Sequence, residues 1–106
     1  MGFAKERKRL EKLLEKITGL RQYDDKGLAV ITDIFEQYSH TIRILKNKNT
    51  ELFNDLYLNE LQLVKACKKS LKLTEDEEDR QANFITYKET LSDALTKTIQ
   101  ASMNTE

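Results

Sequence analysis

The sequence predicts an all-α fold, in which antiparallel helices form one helical domain over residues 1–106. Three observations favour this class. The 106 residues include no proline and only three glycines, and these are the residue types that interrupt or weaken helices. Charged residues make up 34% of the chain. Apolar residues recur every three or four positions, which is the period of an amphipathic helix.

The first helix is predicted from an apolar stripe near the start of the chain. Its members recur at helical spacing and comprise Phe3, Leu10, Leu13, Leu14 and Ile17. We expect this helix to end at residues 18–20, with Gly19 in a left-handed cap conformation. Asp24 and Asp25 then provide N-cap side chains for the second helix.

The middle of the chain predicts one long central helix over about residues 27–73, flanked by shorter helices. From Leu28 to Leu73, steps of three and four residues visit 14 positions, and 11 of them are apolar. A continuous helix preserves this phase across residues 46–50, whereas a loop has no reason to do so. Asn49 and Thr50 nevertheless favour N-cap positions, so a break near 46–50, giving a compact four-helix bundle, is the alternative.

The last helix is expected to begin after Thr74. Thr74 and Glu77 have the spacing of a capping box. Lysines precede this point and acidic residues follow it, and this order suits the two helix ends that meet there. A final apolar stripe then includes Phe84, Tyr87, Leu91, Ala94, Leu95, Thr98 and Ile99.

The apolar residues of the central segment exceed what flanking helices can cover. Each half of a long helix would meet one internal neighbour, so we expect the chain to bind itself, as a dimer or larger oligomer, and another protein. A buried Asn49 or Asn59 would set the register of that contact, and a helix end at Asn49 or a solvent-facing Asn59 is the alternative. The predicted interface comprises Leu45, Asn49, Leu52, Leu56, Leu58, Asn59, Leu61 and Leu63.

The sequence offers few groups for catalysis. One histidine and one cysteine cannot supply the ligand sets of zinc or di-iron sites, and Cys67 falls in an apolar row as a small core residue. We therefore expect no enzyme activity, no cofactor and no metal. The predicted function is a protein–protein interaction module of adaptor, chaperone or inhibitor type that acts through apolar helix faces.

A second hypothesis concerns the single histidine. The fragment His40-Thr41-Ile42-Arg43 resembles the His-Thr-Leu-Lys core of histidine phosphotransfer domains, which are helical bundles of about this length. The resemblance implies that His40 accepts a phosphoryl group and that Arg43 assists it. It covers these four residues, and Ile44 stands where that family has glycine to admit its response regulator.

Charge and hydropathy limit the location and the partners. The 18 cations balance the 18 anions, so neither nucleic acid nor an anionic membrane is an expected partner. No segment approaches the roughly 20 apolar residues of a membrane span. We interpret the cations of the first helix as spread around it, although a groove in an oligomer could use them to hold a small phosphate-bearing ligand. One cysteine and no secretory signal indicate a cytoplasmic location.

Overall fold

The structure, a computed structural model, describes residues 3–20 and 23–103, and these ranges contain helices and no β-strand. The third of the four helices of the bundle is composite, because its three segments follow one another without leaving helical backbone angles. The predicted all-α class is confirmed. The segments are α1 (Ala4–Thr18), α2 (Asp25–Lys48), α3 (Thr50–Asp55), a π-helical segment (Leu56–Glu60), α4 (Leu61–Leu73) and α5 (Glu77–Met103).

Ring contacts show how the helix ends meet. At one end of the molecule, Phe3 before α1 packs edge-on against Phe53 of α3, with ring centroids 5.1 Å apart. At the other end, Tyr23 before α2 packs against Phe84 of α5 at 5.4 Å. Since short connections join consecutive helices, each helix runs opposite to the one before it.

The long central helix over residues 27–73 is wrong. α2 ends at Lys48, and Asn49 has non-helical angles of φ −150° and ψ 89°. Its side chain accepts a hydrogen bond from the backbone N–H of Leu52 at 3.1 Å, so Asn49 is the N-cap of α3. A continuous helix of that length would measure about 70 Å, whereas the longest dimension of the molecule is 46 Å. The alternative with a break near 46–50 is therefore the structure.

The helical phase also changes beyond the break. In the π-helical segment, the N–H of Leu61 bonds to the carbonyl of Leu56, five residues earlier instead of four. This wide turn rotates the helix, so that the core side chains after Asn49 are Phe53, Leu61, Val64 and Leu71. The stripe expected there instead faces solvent, and its members are Leu63, Ala66, Ser70 and Leu73.

One hydrophobic core runs through the bundle, and every helix contributes to it. Side chains with no exposed surface come from each helix in turn: Leu10, Ile34, Phe53, Val64 and Leu91. Within the described ranges, no helix combines the length and the apolar content that crossing a bilayer requires.

Two tyrosine hydroxyls lie inside this core. The hydroxyl of Tyr38 lies 3.0 Å from Oγ1 of Thr98, which itself donates to the carbonyl of Ala94 at 2.7 Å. Tyr38 is therefore the donor, and burial raises its pKa to about 12. The hydroxyl of Tyr87 is equally buried and has no hydrogen-bond partner among the described residues.

The start of α5 differs from the predicted capping box. Asp76, not Thr74, caps the helix, because its Oδ1 accepts from the N–H of Glu78 at 2.9 Å. Thr74 instead donates to the carbonyl of Ser70 at 2.6 Å and accepts from the amide of Asn83 at 2.8 Å. Thr74 thus closes the end of α4 and ties it to α5.

The connection between α1 and α2 matches the prediction at the start of α2 but not in the conformation of Gly19 after α1. Oδ1 of Asp24 accepts from the N–H of Gly27 at 2.6 Å, which confirms the predicted N-cap of α2. α1 ends at Thr18, as expected, but Gly19 has a φ of −80° and is not left-handed. Its N–H bonds to the carbonyl of Glu15, so the last turn closes in right-handed geometry.

Candidate functional site

Five of the eight predicted interface residues are committed to the bundle itself. Leu45 and Leu61 have no exposed surface, so neither can reach a partner in this structure. Asn49 is half-buried and caps α3, which matches the helix-end alternative. Leu52 and Leu56 are partly buried against the core. These positions stabilise the chain's own fold.

The other three predicted residues, Leu58, Asn59 and Leu63, are exposed and lie on the outside of the third helix. Leu58 and Leu63 each expose 54% of their surface, and Leu73, three turns further on, exposes 70%. Leu63 and Leu73 share one side of α4 with two small residues between them, since the spacing is three, four and three residues. We call this set the outer face: Leu58, Leu63, Ala66, Ser70 and Leu73.

A groove runs beside the outer face, between α4 and α5. Its cavity measures about 270 Å³. The Sγ of Cys67 donates to Oγ1 of Thr90 across it at 3.5 Å, so both side chains are partly satisfied locally. The groove holds no charged side chain, and its lining consists of Leu63, Ala66, Cys67, Ser70, Asn83, Thr86 and Thr90.

The two helices beside this groove carry exposed charges of opposite sign, Lys65 and Lys69 on α4 and Glu89 and Asp93 on α5. None of the four lines the groove itself, and Glu89 lines a separate cavity with Leu20 and Tyr23. Contacts across the groove show which residues lie at the same height. They are Lys97 with Glu60 at 3.3 Å, Cys67 with Thr90 at 3.5 Å, and Asn83 with Thr74 at 2.8 Å. In one direction along the groove, residue numbers rise on α4 and fall on α5. Lys69 therefore lies at about the same height as Glu89.

A second concave feature, the basic cleft, lies between α1 and α2. Its cavity measures about 230 Å³, and its lining comprises Lys5, Glu6, Arg9, His40, Ile44 and Lys48. Glu6 exposes only 4% of its surface and accepts a hydrogen bond from Lys48. That hydrogen bond is the main reason why the pKa of Glu6 is lowered.

The basic cleft changes the surroundings expected for His40. His40 is exposed, and Arg43 is not among the residues that line its cleft. Its basic neighbours are Lys5 and Arg9 of α1, which the sequence did not connect with it. The cations of α1 are spread around the helix, as expected, because Lys5 and Arg9 line this cleft while Lys8, Lys12 and Lys16 are exposed outside it.

Two further observations concern chemistry. Among residues 3–20 and 23–103, no three histidine, cysteine or carboxylate side chains are grouped as metal ligands would be. Cys67 is a free, half-buried thiol.

Comparisons of this chain with protein-family models, with curated proteins and with solved structures found no match.

Proposed function

We propose that this protein is a protein–protein interaction module that catalyses no reaction, and that the outer face and the adjoining α4–α5 groove are its binding surface. The observation that supports this most directly is the exposure of Leu58, Leu63 and Leu73 along one helix. Single exposed apolar side chains are common on protein surfaces, whereas several on one side of a helix beside a groove are typical of an interaction site.

The occupant that the charges favour is a second copy of the chain. We place the two-fold axis parallel to the helices and centre it over the groove. Rotation about this axis brings α4 of one copy against α5 of the other, and every residue keeps its height along the helices. Lys69 then lies level with Glu89 of the second copy, and Leu73 lies level with the exposed Ile85. The symmetry forms each contact twice. An axis perpendicular to the helices would instead place lysines opposite lysines.

The size of the bundle suits such a pair. A stable interface buries about 800 Å² on each partner. The molecule measures 46 × 24 × 16 Å, so one long side offers enough area. If the protein is an adaptor, chaperone or inhibitor, the same surface would bind an apolar helix of another protein in place of the second copy.

A charge exchange tests the pairing. The wild-type chain is expected to have about twice its 12.4 kDa mass by light scattering at tens of micromolar. Lys69→Glu places glutamate opposite Glu89, and Glu89→Lys places lysine opposite Lys69, so each variant alone should be a monomer. Mixed in equal amounts, the two variants should form a heterodimer, because both of its contacts again join opposite charges.

The control is Lys26→Glu, which makes the same charge change at an exposed site on α2, a helix that the proposed binding surface does not use. This variant should dimerise like the wild type. A wild-type chain that stays monomeric at these concentrations would overturn self-association. A dimer that survives both single changes would place the contact elsewhere.

Histidine phosphotransfer through His40 is a second candidate function, and the exposure of His40 beside Lys5 and Arg9 favours it. In such a transfer, a ring nitrogen of His40 bonds to the phosphorus as the bond to the donor protein's own carrier residue breaks. Incubation with a phosphorylated donor kinase should then give acid-labile phosphate on the wild type and none on His40→Gln. Equal labelling of the two proteins would contradict this function.

A further inference from the structure

We propose that the basic cleft between α1 and α2 reversibly binds the phosphate group of a small phosphorylated ligand, with Lys5 and Arg9 as its main contacts. This site lies on helices that the proposed binding surface does not use. It therefore goes beyond the interaction function and can fail or succeed independently of it.

The basic cleft contains more positive than negative side chains. Glu6 is its one carboxylate, and Lys48 is paired with that carboxylate. The side chains of Lys5, Arg9 and His40 form no hydrogen bond or ion pair with any described residue, although Lys5 is close enough to Glu6 to help lower its pKa. Three cations against one carboxylate leave the cleft with an excess of two positive charges beside one imidazole, and an anion is the ligand that would balance it.

The hydrogen-bond donors of the basic cleft lie on two of its walls. Arg9 offers a planar fork that matches two oxygens of a phosphate, and Lys5 supplies a point charge one helical turn away. His40 approaches from the opposite wall, on α2. Donors on two walls suit a tetrahedral anion, whose oxygens point in several directions, better than a planar carboxylate.

The position and size of the basic cleft also suit a phosphate group. α1 begins at Ala4 without a side-chain cap, so the partial positive charge of its first turn lies close to Lys5. A cavity of about 230 Å³ has room for one or two phosphate groups. Ile44 adds an apolar wall at the same site, against which an organic part of the ligand can rest.

Calorimetric titration at constant ionic strength tests the site with three probes: inorganic phosphate, pyrophosphate and adenosine diphosphate. We expect saturable binding of one pyrophosphate per chain. Stronger binding of adenosine diphosphate than of pyrophosphate would identify a nucleotide as the source of the phosphate. Equal binding of the two would identify the phosphate groups alone as the ligand.

The matched variants are Arg9→Gln and Lys26→Gln, which remove the same charge inside and outside the basic cleft. Arg9→Gln should weaken pyrophosphate binding tenfold or more, and Lys26→Gln should change it less than twofold. If Arg9→Gln does not fold, Lys5→Gln serves instead, because Lys5 is exposed and its loss should weaken binding several-fold. Equal losses in the cleft variant and in Lys26→Gln, or no saturation at millimolar pyrophosphate, would overturn the proposal.

Discussion

At the residue scale, the two core tyrosines differ in one respect that stability measurements can detect. Tyr38 donates a hydrogen bond to Thr98, whereas the hydroxyl of Tyr87 has no partner among the described residues. A buried hydroxyl without a partner loses its hydrogen bonds to water and gains none in return. Burial also raises the pKa of Tyr87, because the charged form would be even less well solvated there.

Replacing tyrosine by phenylalanine should therefore destabilise the protein at position 38 and not at position 87. Tyr38→Phe should lower the free energy of unfolding by about 1 kcal/mol, because a satisfied hydrogen bond is lost. Tyr87→Phe should leave it unchanged or raise it by a few tenths of a kcal/mol, because an unsatisfied group is removed. Urea unfolding of both variants at pH 7 measures the difference. A loss at Tyr87 equal to that at Tyr38 would show that Tyr87 has a hydrogen-bond partner in solution.

The Glu6–Lys48 pair makes stability depend on pH. The pKa of Glu6 in the folded state is lowered below its ordinary value of 4.5, mainly by the hydrogen bond from Lys48. A lowered pKa means that the pair stabilises the fold above about pH 4.5, and that this stabilisation is lost as the pH falls and Glu6 is protonated.

Lys48→Met, which keeps the aliphatic stem, should lower the free energy of unfolding by about 1 kcal/mol at pH 7. This is at the low end for a charged hydrogen bond, because the lysine is about half exposed. The difference from the wild type should shrink towards pH 3. Lys12→Met, at an exposed position on α1, controls for net charge and should show no such convergence. A difference that is the same at both pH values would rule out the ion pair as its cause.

At the element scale, the amphipathic helices were predictable and their junctions were not. α1 and α5 each keep a single apolar stripe, and in both cases the stripe is the buried face. At the break, Leu45, Asn49 and Phe53 are spaced by four residues, so a one-residue junction preserves the same phase as a continuous helix. Periodicity therefore could not distinguish the two, and the local signal for the break was the N-cap preference of Asn49 and Thr50, of which Asn49 is the cap in the structure.

The candidate sites were less predictable than the helices, for a physical reason. The outer face depends on the rotation introduced by the π-helical segment, which no residue pattern indicates. The basic cleft joins Lys5 and Arg9 to His40, residues that are distant in sequence and that only the packing of α1 on α2 brings together. The spacing of Lys5 and Arg9, four residues apart, was a usable signal that they share one helix side.

An insertion tests the break. One alanine placed between Lys48 and Asn49 would rotate a continuous helix by about 100° from that point onwards. Because two helices meet here, the extra residue should instead lengthen the junction and cost less than about 1 kcal/mol. Thermal unfolding followed by circular dichroism measures the change. A loss of several kcal/mol would indicate that the junction has no room for another residue.

At the scale of the whole molecule, the core requires all four helices. α1 contributes Leu10, Leu13 and Ile17, none of which exposes more than 1% of its surface. α1 packs against α5 and α2, so the remaining three helices would expose the side of the core that α1 covers to water.

A chain that begins at Tyr23 should therefore lose its cooperative thermal transition and bind an apolar dye. Leu13→Ala is the milder comparison: it should keep a single transition and lower the free energy of unfolding by about 3 kcal/mol. Calorimetry separates the two outcomes. A sharp transition in the shortened chain would show that α2 to α5 form a stable unit without α1.

The π-helical segment makes the length of this chain adjustable by one residue. A wide turn holds one residue more than an α-helix needs to join the same two points. Deleting the exposed Asn59 should convert the segment to α-helix and leave Phe53 and Val64 in their buried positions, at a cost within about 1 kcal/mol. Deleting the exposed Thr86 from the regular α5 should cost at least about 3 kcal/mol, because every later core residue rotates away. If both deletions prove equally damaging in urea unfolding, the wide turn holds no spare residue; otherwise a shorter sequence can encode the same bundle.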